Sequence, residues 1–236
     1  MAKTLEIYKS IKVLRKRFLK ESLNKESLLQ LIAETEVAEK VYNSNAIENS
    51  TLSLEETDKI LLQIDLDRFI SERELFEAKN LARVITYISS VSKERELNFE
   101  MILRLHEMLL SNIRDEIAGR FRKDDEWVRV GNHIALDPKY IEDSLNKMLI
   151  GYQLSDDKHI VKRIAKLHLT FEQIHPFVDG NGRIGRTLNN FLLIKENYVP
   201  INIKFIDRAM YYDAFDEFNS NGKTAIMEGI VGRALT

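Results

Sequence analysis

The segment 175–186, HPFVDGNGRIGR, brings a histidine, an aspartate, three glycines and two arginines close together in the chain. Gly180, Asn181 and Gly182 come just before a predicted helix, where free backbone N–H groups and the helix dipole favour an anion. Glycine lets successive N–H groups turn inward around phosphate oxygens. The pattern therefore predicts a phosphate-binding turn at the start of a helix.

Four charged or titratable side chains of this segment indicate nucleotide chemistry. Arg183 and Arg186 are three residues apart, so they share one face of the helix. Two cations there oppose the helix dipole at about 0.3–1 kcal/mol each, and a polyphosphate would offset this cost. Asp179 would repel phosphate unless a divalent cation lay between them, and one carboxylate with substrate phosphates is a usual Mg²⁺ arrangement. His175, with an unperturbed pKa of about 6.5, suits proton removal from a hydroxyl. Together they predict phosphoryl or nucleotidyl transfer.

Other readings of the segment are weaker. Gly180 to Gly185 also match the dinucleotide-binding fingerprint, but that fingerprint requires a preceding strand, and here an amphipathic helix precedes it. The G-x-x-x-x-G-K-[ST] sequence of P-loop proteins is absent. A single histidine at a helix C-terminus is often structural, because it interacts favourably with the helix dipole. The complete segment, rather than any one residue, favours the nucleotide site.

The elements around this segment are predicted to be helical. Residues 1–118 contain neither Gly nor Pro, and a chain so poor in turn formers does not suit a sandwich or barrel. Apolar periodicity and capping signals predict helices over about 7–24, 25–45, 53–64, 71–91 and 157–175, from about 98, 137 and 183, and on both sides of Gly222. Segments 127–130 and 134–136 predict one β-hairpin. We expect an all-α helical bundle with that single hairpin.

Composition excludes several other classes. The sequence has no Cys, which removes disulfide scaffolds, cysteine-ligated zinc and thiol nucleophiles. A net charge of −2 gives no basic field for nucleic acid. No apolar run approaches the roughly 20 residues of a membrane helix, and charges interrupt the N-terminal apolar stretches, unlike a signal peptide. We expect a cytoplasmic protein with neither nucleic-acid nor membrane partners.

The segment HPFVDGNGRIGR resembles the complete signature of Fic-domain proteins, with similarity over about residues 98–220. The resemblance implies the Fic fold, its hairpin forming a flap beside the active site, and transfer of AMP from ATP·Mg²⁺ to a protein hydroxyl (Ser, Thr or Tyr). By this resemblance His175 is the catalytic base, Asp179 holds Mg²⁺, Arg183 neutralises charge developing on the phosphates and Arg186 holds the γ-phosphate. Phosphorylating relatives similar to Doc alter the Gly-Asn-Gly stretch, so this chain resembles the AMP-transferring type.

The resemblance also implies a wider nucleotide-binding set. Residues 119–122 and 130–133 are similar to the family's segment leading into the flap, whose edge could pair with a target peptide. Two residues of a later helix match positions that contact adenosine in relatives. The full set is Gly180, Asn181, Gly182, Arg183, Gly185, Arg186, Val130, Gly131, Asn132, His133, Tyr211 and Asn219.

Ser44 to Asn49 resemble the family's inhibitory motif, a hydroxyl residue followed four later by Glu and then by Gly or Asn. Ser44 and Glu48 are one turn apart on one helix face. Ser-x-x-x-Glu alone arises by chance in charged helical chains, and its position before the Fic core is what favours this interpretation. The resemblance implies that Glu48 pairs with Arg186 and prevents productive ATP binding. Region 1–97 would then carry the brake, and region 98–236 the catalytic core and C-terminal helices.

The leading hypothesis is a regulated protein adenylyltransferase that modifies a protein substrate, itself included. Two alternatives stay open: a de-AMPylating phosphodiesterase that uses the same site with Glu48 positioning water, and a nucleotide-binding sensor without transfer. Relatives of this type often dimerise, so a homodimer is expected by resemblance, although one sequence shows no interface.

Overall fold

The structure, a computed structural model, describes residues 2–22, 35–130 and 133–236. Ten α-helices dominate the described part of the chain, which confirms the all-α prediction. They are α1 (Ala2–Ser22), α2 (Val37–Ile47), α3 (Leu54–Leu61), α4 (Glu72–Val91), α5 (Phe99–Leu110), α6 (Ile141–Gln153), α7 (Ile160–Ile174), α8 (Asn181–Lys195), α9 (Arg208–Asn221) and α10 (Ala225–Ala234). Short 3₁₀ turns at Pro138–Tyr140 and Phe205–Asp207 lead into α6 and α9.

Side-chain caps fix several helix starts, as the sequence predicts. Ser53 Oγ accepts from the Glu56 N–H at 3.1 Å and Glu56 Oε2 accepts from the Ser53 N–H at 2.8 Å, a reciprocal capping box for α3. Ser71 caps α4 by accepting from the Glu74 N–H, but the Glu74 carboxylate accepts from Thr51 rather than from the cap backbone. α4 therefore has the cap without the full box.

The boundaries of four predicted helices differ from the sequence-based ones. Residues 25–34 of the second predicted helix lie outside the described residues, and α2 covers its remaining part. Asp137 does cap the next turn, but that turn is 3₁₀ before α6 begins. α7 begins three residues after Asp157, and α8 begins at Asn181 because Gly180, at φ +84°, ends the preceding turn.

The predicted hairpin is present but shorter than expected. β1 (Arg129–Val130) pairs antiparallel with β2 (His133–Ile134), with Arg129 opposite Ile134. One further bond, from the Ala135 N–H to the Val128 carbonyl at 2.9 Å, continues the pairing beyond the strands. Residues 131 and 132 of the turn lie outside the described residues.

α7 and α8 pack against each other at the centre of the fold and position the site. α7 also contacts α6, α9 and α10, while α8 contacts α2, α4 and α5. The apolar stripe of α7 is buried as its spacing predicts. Because α4 packs on both α5 and α8, the regions 1–97 and 98–236 share one core. No helix among the described residues is long and apolar enough to cross a bilayer.

Candidate active site

The segment between α7 and α8 begins with a left-handed residue held by an arginine. Pro176 prevents α7 from continuing, and His175 takes φ +50° with its N–H bonded to the Phe171 carbonyl at 2.9 Å. The Arg122 guanidinium donates from Nε to the His175 carbonyl at 2.8 Å, and the Arg122 N–H donates to the Pro176 carbonyl at 2.9 Å. These bonds fix the backbone from which the His175 side chain projects.

The turn itself is closed by its own asparagine. Asn181 Oδ1 accepts from the Phe177 N–H at 2.9 Å, and Asn181 Nδ2 donates to the Phe177 carbonyl at 2.8 Å. The Asn181 side chain thus shapes the turn, while its backbone lies in the first turn of α8. Phe177 is fully buried and anchors the turn in the core.

His106 on α5 supports the same turn, and the sequence reasoning missed it. Its ring stacks on Phe177 with centroids 3.7 Å apart. Nδ1 accepts from the Gly119 N–H at 3.1 Å, so Nε2 carries the proton and donates to the Asp179 carbonyl at 3.0 Å. Burial lowers the pKa of His106 to about 4, so the ring is neutral. A histidine within the apolar stripe of α5 was the available signal.

The end of α2 places a carboxylate beside the glycine-rich turn at the start of α8. Glu48 Oε1 accepts from Arg186 Nη2 at 2.9 Å, and a Cβ placed on Gly182 would overlap that oxygen. Ser44 accepts from the same guanidinium twice, through Oγ at 2.9 Å and through its carbonyl at 2.8 Å. Next to Glu48, Asn49 takes φ +71° and its Oδ1 accepts from Arg208. Helices α2 and α8 are therefore joined by Glu48 and Arg186, the pair that the family resemblance implies.

Arg186 is nearly fully buried, yet its charge is retained. Its Nη1 donates to the Tyr211 hydroxyl at 3.1 Å, in addition to the α2 contacts. Burial alone would lower the pKa of Arg186, but Tyr211 and Glu48 outweigh it and raise the pKa above its usual range. The guanidinium is thus a fixed cation at the start of α8.

Asp179 lies in a ring of alternating charges. Its Oδ2 accepts from Arg73 Nη2 at 2.8 Å and its Oδ1 from Arg183 Nη2 at 3.2 Å. Glu77 closes the ring, since its Oε1 lies 3.0 Å from Arg73 Nε and 3.1 Å from Arg183 Nη1. Burial favours a higher pKa for Asp179, but Arg183 and Arg73 outweigh it and hold the pKa below its usual range. The carboxylate therefore already attracts cations.

Three residues predicted to bind nucleotide have other surroundings in this conformation. The Tyr211 side chain is buried. Its hydroxyl lies 2.7 Å from His168 Nε2 and also accepts a hydrogen bond from Arg186 Nη1. Gly185 faces α7, where an added Cβ would lie 2.7 Å from Glu172 Oε1. Asn219 is exposed, and its Oδ1 accepts from Gln173 at 3.3 Å.

The predicted flap residues are only partly described. Val130 is half-buried in β1. Gly131 and Asn132 lie outside the described residues, as does the side chain of His133. Their binding of nucleotide stays a prediction.

Comparison with known proteins agrees with this fold. Residues 96–193 match the family model described as Fic/DOC family. A curated relative from Nematostella vectensis, named protein adenylyltransferase Fic, is 32% identical over 184 residues, covering 76% of this chain and 42% of the relative. The solved structure of Fic-1 from Caenorhabditis elegans gives a TM-score of 0.83 at 25% identity, over 99% of this chain and 69% of that one.

A Fic-domain-containing signalling protein from Bacteroides thetaiotaomicron gives a TM-score of 0.81 at 24% identity, over 95% of this chain and 93% of that one, and supports the fold. Fold and site thus define a helical protein with a glycine-rich turn between two central helices and a buried arginine beside it. The chain is a Fic-domain protein of the Fic/DOC family. It spans less than half the length of the curated relatives it matches.

Proposed function

We propose that the protein transfers AMP from ATP to a hydroxyl group of a protein, under the control of Glu48. The observation that carries this proposal is the Glu48 carboxylate, which lies on Gly182 and Arg186 as an anion supplied by the chain itself. The space beside Gly182 and the Arg186 guanidinium, which accommodate this carboxylate, suit a phosphate oxygen equally. Curated relatives named protein adenylyltransferase support the AMP-transfer class.

In the proposed reaction, the acceptor hydroxyl oxygen attacks the α-phosphorus of ATP. The bond from that phosphorus to the oxygen bridging to the β-phosphate breaks, and pyrophosphate leaves. His175 takes the proton of the hydroxyl, while Arg183 and the turn at Gly180–Gly182 offset the negative charge that develops on the phosphates. Most of the acceleration comes from positioning and charge neutralisation.

Asp179 fits the expected magnesium ligand. It binds two guanidinium groups through its two oxygens, so it attracts cations at the edge of the turn. One carboxylate that shares the ion with substrate phosphates is a usual Mg²⁺ arrangement. When bound, Mg²⁺ would neutralise phosphate charge. Asp179 would then exchange a guanidinium partner for the ion.

The proposed brake acts through occupancy of Arg186. While Glu48 holds Nη2, that group cannot bind the γ-phosphate, and the carboxylate repels the nucleotide. Glu48 follows the last residue of α2 at φ −90° and ψ +21°, a conformation that glycine also adopts. Replacing Glu48 by Gly should therefore remove the carboxylate without interrupting the helix.

The first prediction is that Glu48→Gly raises self-modification by ATP·Mg²⁺ at least tenfold, because the anion site becomes available. Glu48→Gln should give an intermediate rate, since it keeps a hydrogen-bond acceptor but loses the charge. His175→Ala should abolish labelling in both backgrounds. Intact-mass spectrometry measures the gain of one adenylyl group, and peptide mapping then locates the modified hydroxyl.

If the parent and Glu48→Gly proteins are labelled equally, Glu48 does not inhibit the reaction. ATP binding by calorimetry without any covalent product, even in Glu48→Gly, would favour a nucleotide sensor. Release of AMP from a modified target by the parent protein would favour the phosphodiesterase. The homodimer and the cytoplasmic location expected from the sequence stay predictions.

A further inference from the structure

Glu172 is a buried carboxyl group at the active site that the proposed mechanism does not use. It lies on α7, one turn before His175, with its side chain 8% exposed. Its Oε1 forms no hydrogen bond with any described residue. Burying a carboxyl group without a hydrogen-bond partner is costly, and such groups are rare in folded proteins. The position of Glu172 therefore needs an explanation other than packing.

Gly185 provides the space that Glu172 occupies. An added Cβ at Gly185 would lie 2.7 Å from Glu172 Oε1 and 3.0 Å from His168 Cε1. A larger residue there would push the carboxyl group away from its present place. The last glycine of the 175–186 segment thus permits close approach of α7 and α8 around a carboxyl group.

The second carboxyl oxygen faces the proposed base. Glu172 Oε2 lies 3.8 Å from His175 Nδ1, too long for a hydrogen bond but within the range that tightens when a substrate binds. If His175 takes the substrate proton on Nε2, the neutral ring must carry its own hydrogen on Nδ1. An acceptor on the Nδ1 side favours that tautomer and offsets the charge of the imidazolium that forms.

The groups that face Glu172 come from four helices. His168 and His175 share α7 with it, Glu48 approaches from α2, Arg186 from α8 and Tyr211 from α9. Arg122, on the loop after α5, donates to the His175 carbonyl. Burial, then the charge of Glu48, raises the pKa of Glu172 to about 8, while Arg186 acts in the opposite direction. Loss of the Glu48 charge therefore makes Glu172 easier to ionise.

We propose that Glu172 is a positioning residue for His175, whose carboxyl group holds the imidazole with the hydrogen on Nδ1 and stabilises the imidazolium during transfer. This inference rests on the proposed role of His175 as base. It adds a residue from the centre of α7 to the site and links it to the brake, because Glu48 and Glu172 lie near the same guanidinium.

The kinetic test uses the Glu48→Gly background, in which transfer is measurable. Glu172→Gln keeps the size of the side chain and an acceptor oxygen but loses the charge, and Glu172→Leu loses both. We expect kcat to fall about 10- to 100-fold in Glu172→Leu and less in Glu172→Gln. This is part of the roughly 10²–10⁴-fold rate acceleration that a general base contributes. KM for ATP should change less than kcat does, because Arg186 keeps its bonds to Ser44 and Tyr211 when Glu172 is replaced. The acidic limb of the kcat–pH profile should move to lower pH.

A spectroscopic test needs no transfer activity. Imidazole ¹H–¹⁵N spectra of the full chain, with His175→Ala used to assign the signals, report which ring nitrogen of His175 carries hydrogen. At about pH 9, where the Glu172 carboxyl group is ionised, we expect the Nδ1–H form in the parent protein and a shift toward the Nε2–H form in Glu172→Leu. Glu100→Gln, an exposed carboxylate on α5, is the matched control and should change neither the tautomer nor kcat.

The outcomes separate the inference from the proposed function. If Glu48→Gly incorporates no AMP, the proposed function fails, while the His175 tautomer still tests Glu172. An unchanged tautomer together with an unchanged kcat in both Glu172 variants would overturn the inference. If only KM for ATP is affected, Glu172 has a purely structural role. The same holds if Glu172→Leu loses thermal stability while Glu172→Gln keeps full activity.

Discussion

At the residue scale, two of the active-site glycines are required for different physical reasons. Gly180 takes φ +84°, a conformation that other residues adopt at a cost, and an added Cβ would lie 3.0 Å from Leu110 Cδ2. Gly185 has an ordinary helical backbone and is needed because Glu172 and His168 lie against it. The same residue type thus supplies backbone conformation at one position and space at another.

Substitution of three glycines by alanine separates conformational strain from crowding. Gly180→Ala should destabilise the protein by about 2–3 kcal/mol, because strain and contact add. Gly222→Ala, at φ +71° with nothing within 4 Å, should cost about 1 kcal/mol from strain alone. Gly151→Ala, helical and uncrowded, should stabilise by up to about 1 kcal/mol. Urea unfolding measures all three free energies. If Gly180→Ala destabilises the protein no more than Gly222→Ala does, then crowding by Leu110 does not contribute.

The residues that the sequence revealed are those grouped in one continuous segment. His175, Asp179 and the glycines share a short stretch, so their types and spacing suggested the chemistry directly. His106 and Arg122 come from distant parts of the chain and bond to backbone carbonyls of the segment. Because every residue has a carbonyl, such bonds produce no recognisable spacing in the sequence. Glu172 is close in sequence, but only the approach of α8 shows that it is buried.

At the scale of elements, α4 contributes to the active site although it lies outside the matched domain segment 96–193. Arg73 and Glu77 are one turn apart on α4, and they bind Asp179 and Arg183 respectively. The sequence predicted the start and apolar stripe of α4 from its cap and periodicity. The charged residues of α4 gave no sign of these partners, because charges at helical spacing usually face solvent, whereas Glu77 is buried.

We predict that Arg73→Gln strengthens binding of Mn²⁺ to the nucleotide-free protein about two- to fivefold. The substitution removes a partly exposed cation from Asp179, and such pairs contribute roughly 0.2–1 kcal/mol. Electron paramagnetic resonance of free Mn²⁺ measures the affinity. Arg83→Gln, an exposed arginine on the same helix, is the control and should leave the affinity unchanged. Weaker binding in Arg73→Gln would show that Arg73 supports the ion site instead.

At the scale of the whole molecule, buried titratable groups near the site set the pH range of stability. Burial lowers the pKa of His106 to about 4 and, with help from Arg186, that of His168 to about 3, against 6.5 ordinarily. Below pH 6.5 these two histidines bind protons in the unfolded chain but not in the folded protein. The free energy of unfolding therefore falls as pH falls. Burial raises the pKa of Glu172 from 4.5 to about 8, so its contribution falls as pH rises through that range.

These three groups together place maximum stability near pH 6.5. Glu172→Gln should remove the alkaline decline, so its melting temperature relative to the parent should rise by about 10 °C between pH 5 and pH 8.5. Calorimetry across that range measures the difference. A difference independent of pH would mean that Glu172 ionises in the folded protein as it does in the unfolded chain.

Fold class was predictable at this scale from the distribution of Gly and Pro, which left few sites for tight turns. The hairpin was placed correctly but overestimated in length, because alternating residues indicate extended backbone without indicating which of them pair. The packing of α4 against both α5 and α8 was not predictable, since periodicity identifies a buried face and not its partner.

The two bonds from Arg186 to Ser44 have a consequence for how a minimal active protein could be made. One substitution at Glu48 leaves Ser44 and Tyr211 to hold the guanidinium in its orientation. Truncation before residue 98 would remove Ser44 together with Glu48, and Arg73 and Glu77 with them. A shortened protein would therefore lose orientation and inhibition at once, so its inactivity would say nothing about the brake. The smallest catalytically competent fragment should begin before Val37.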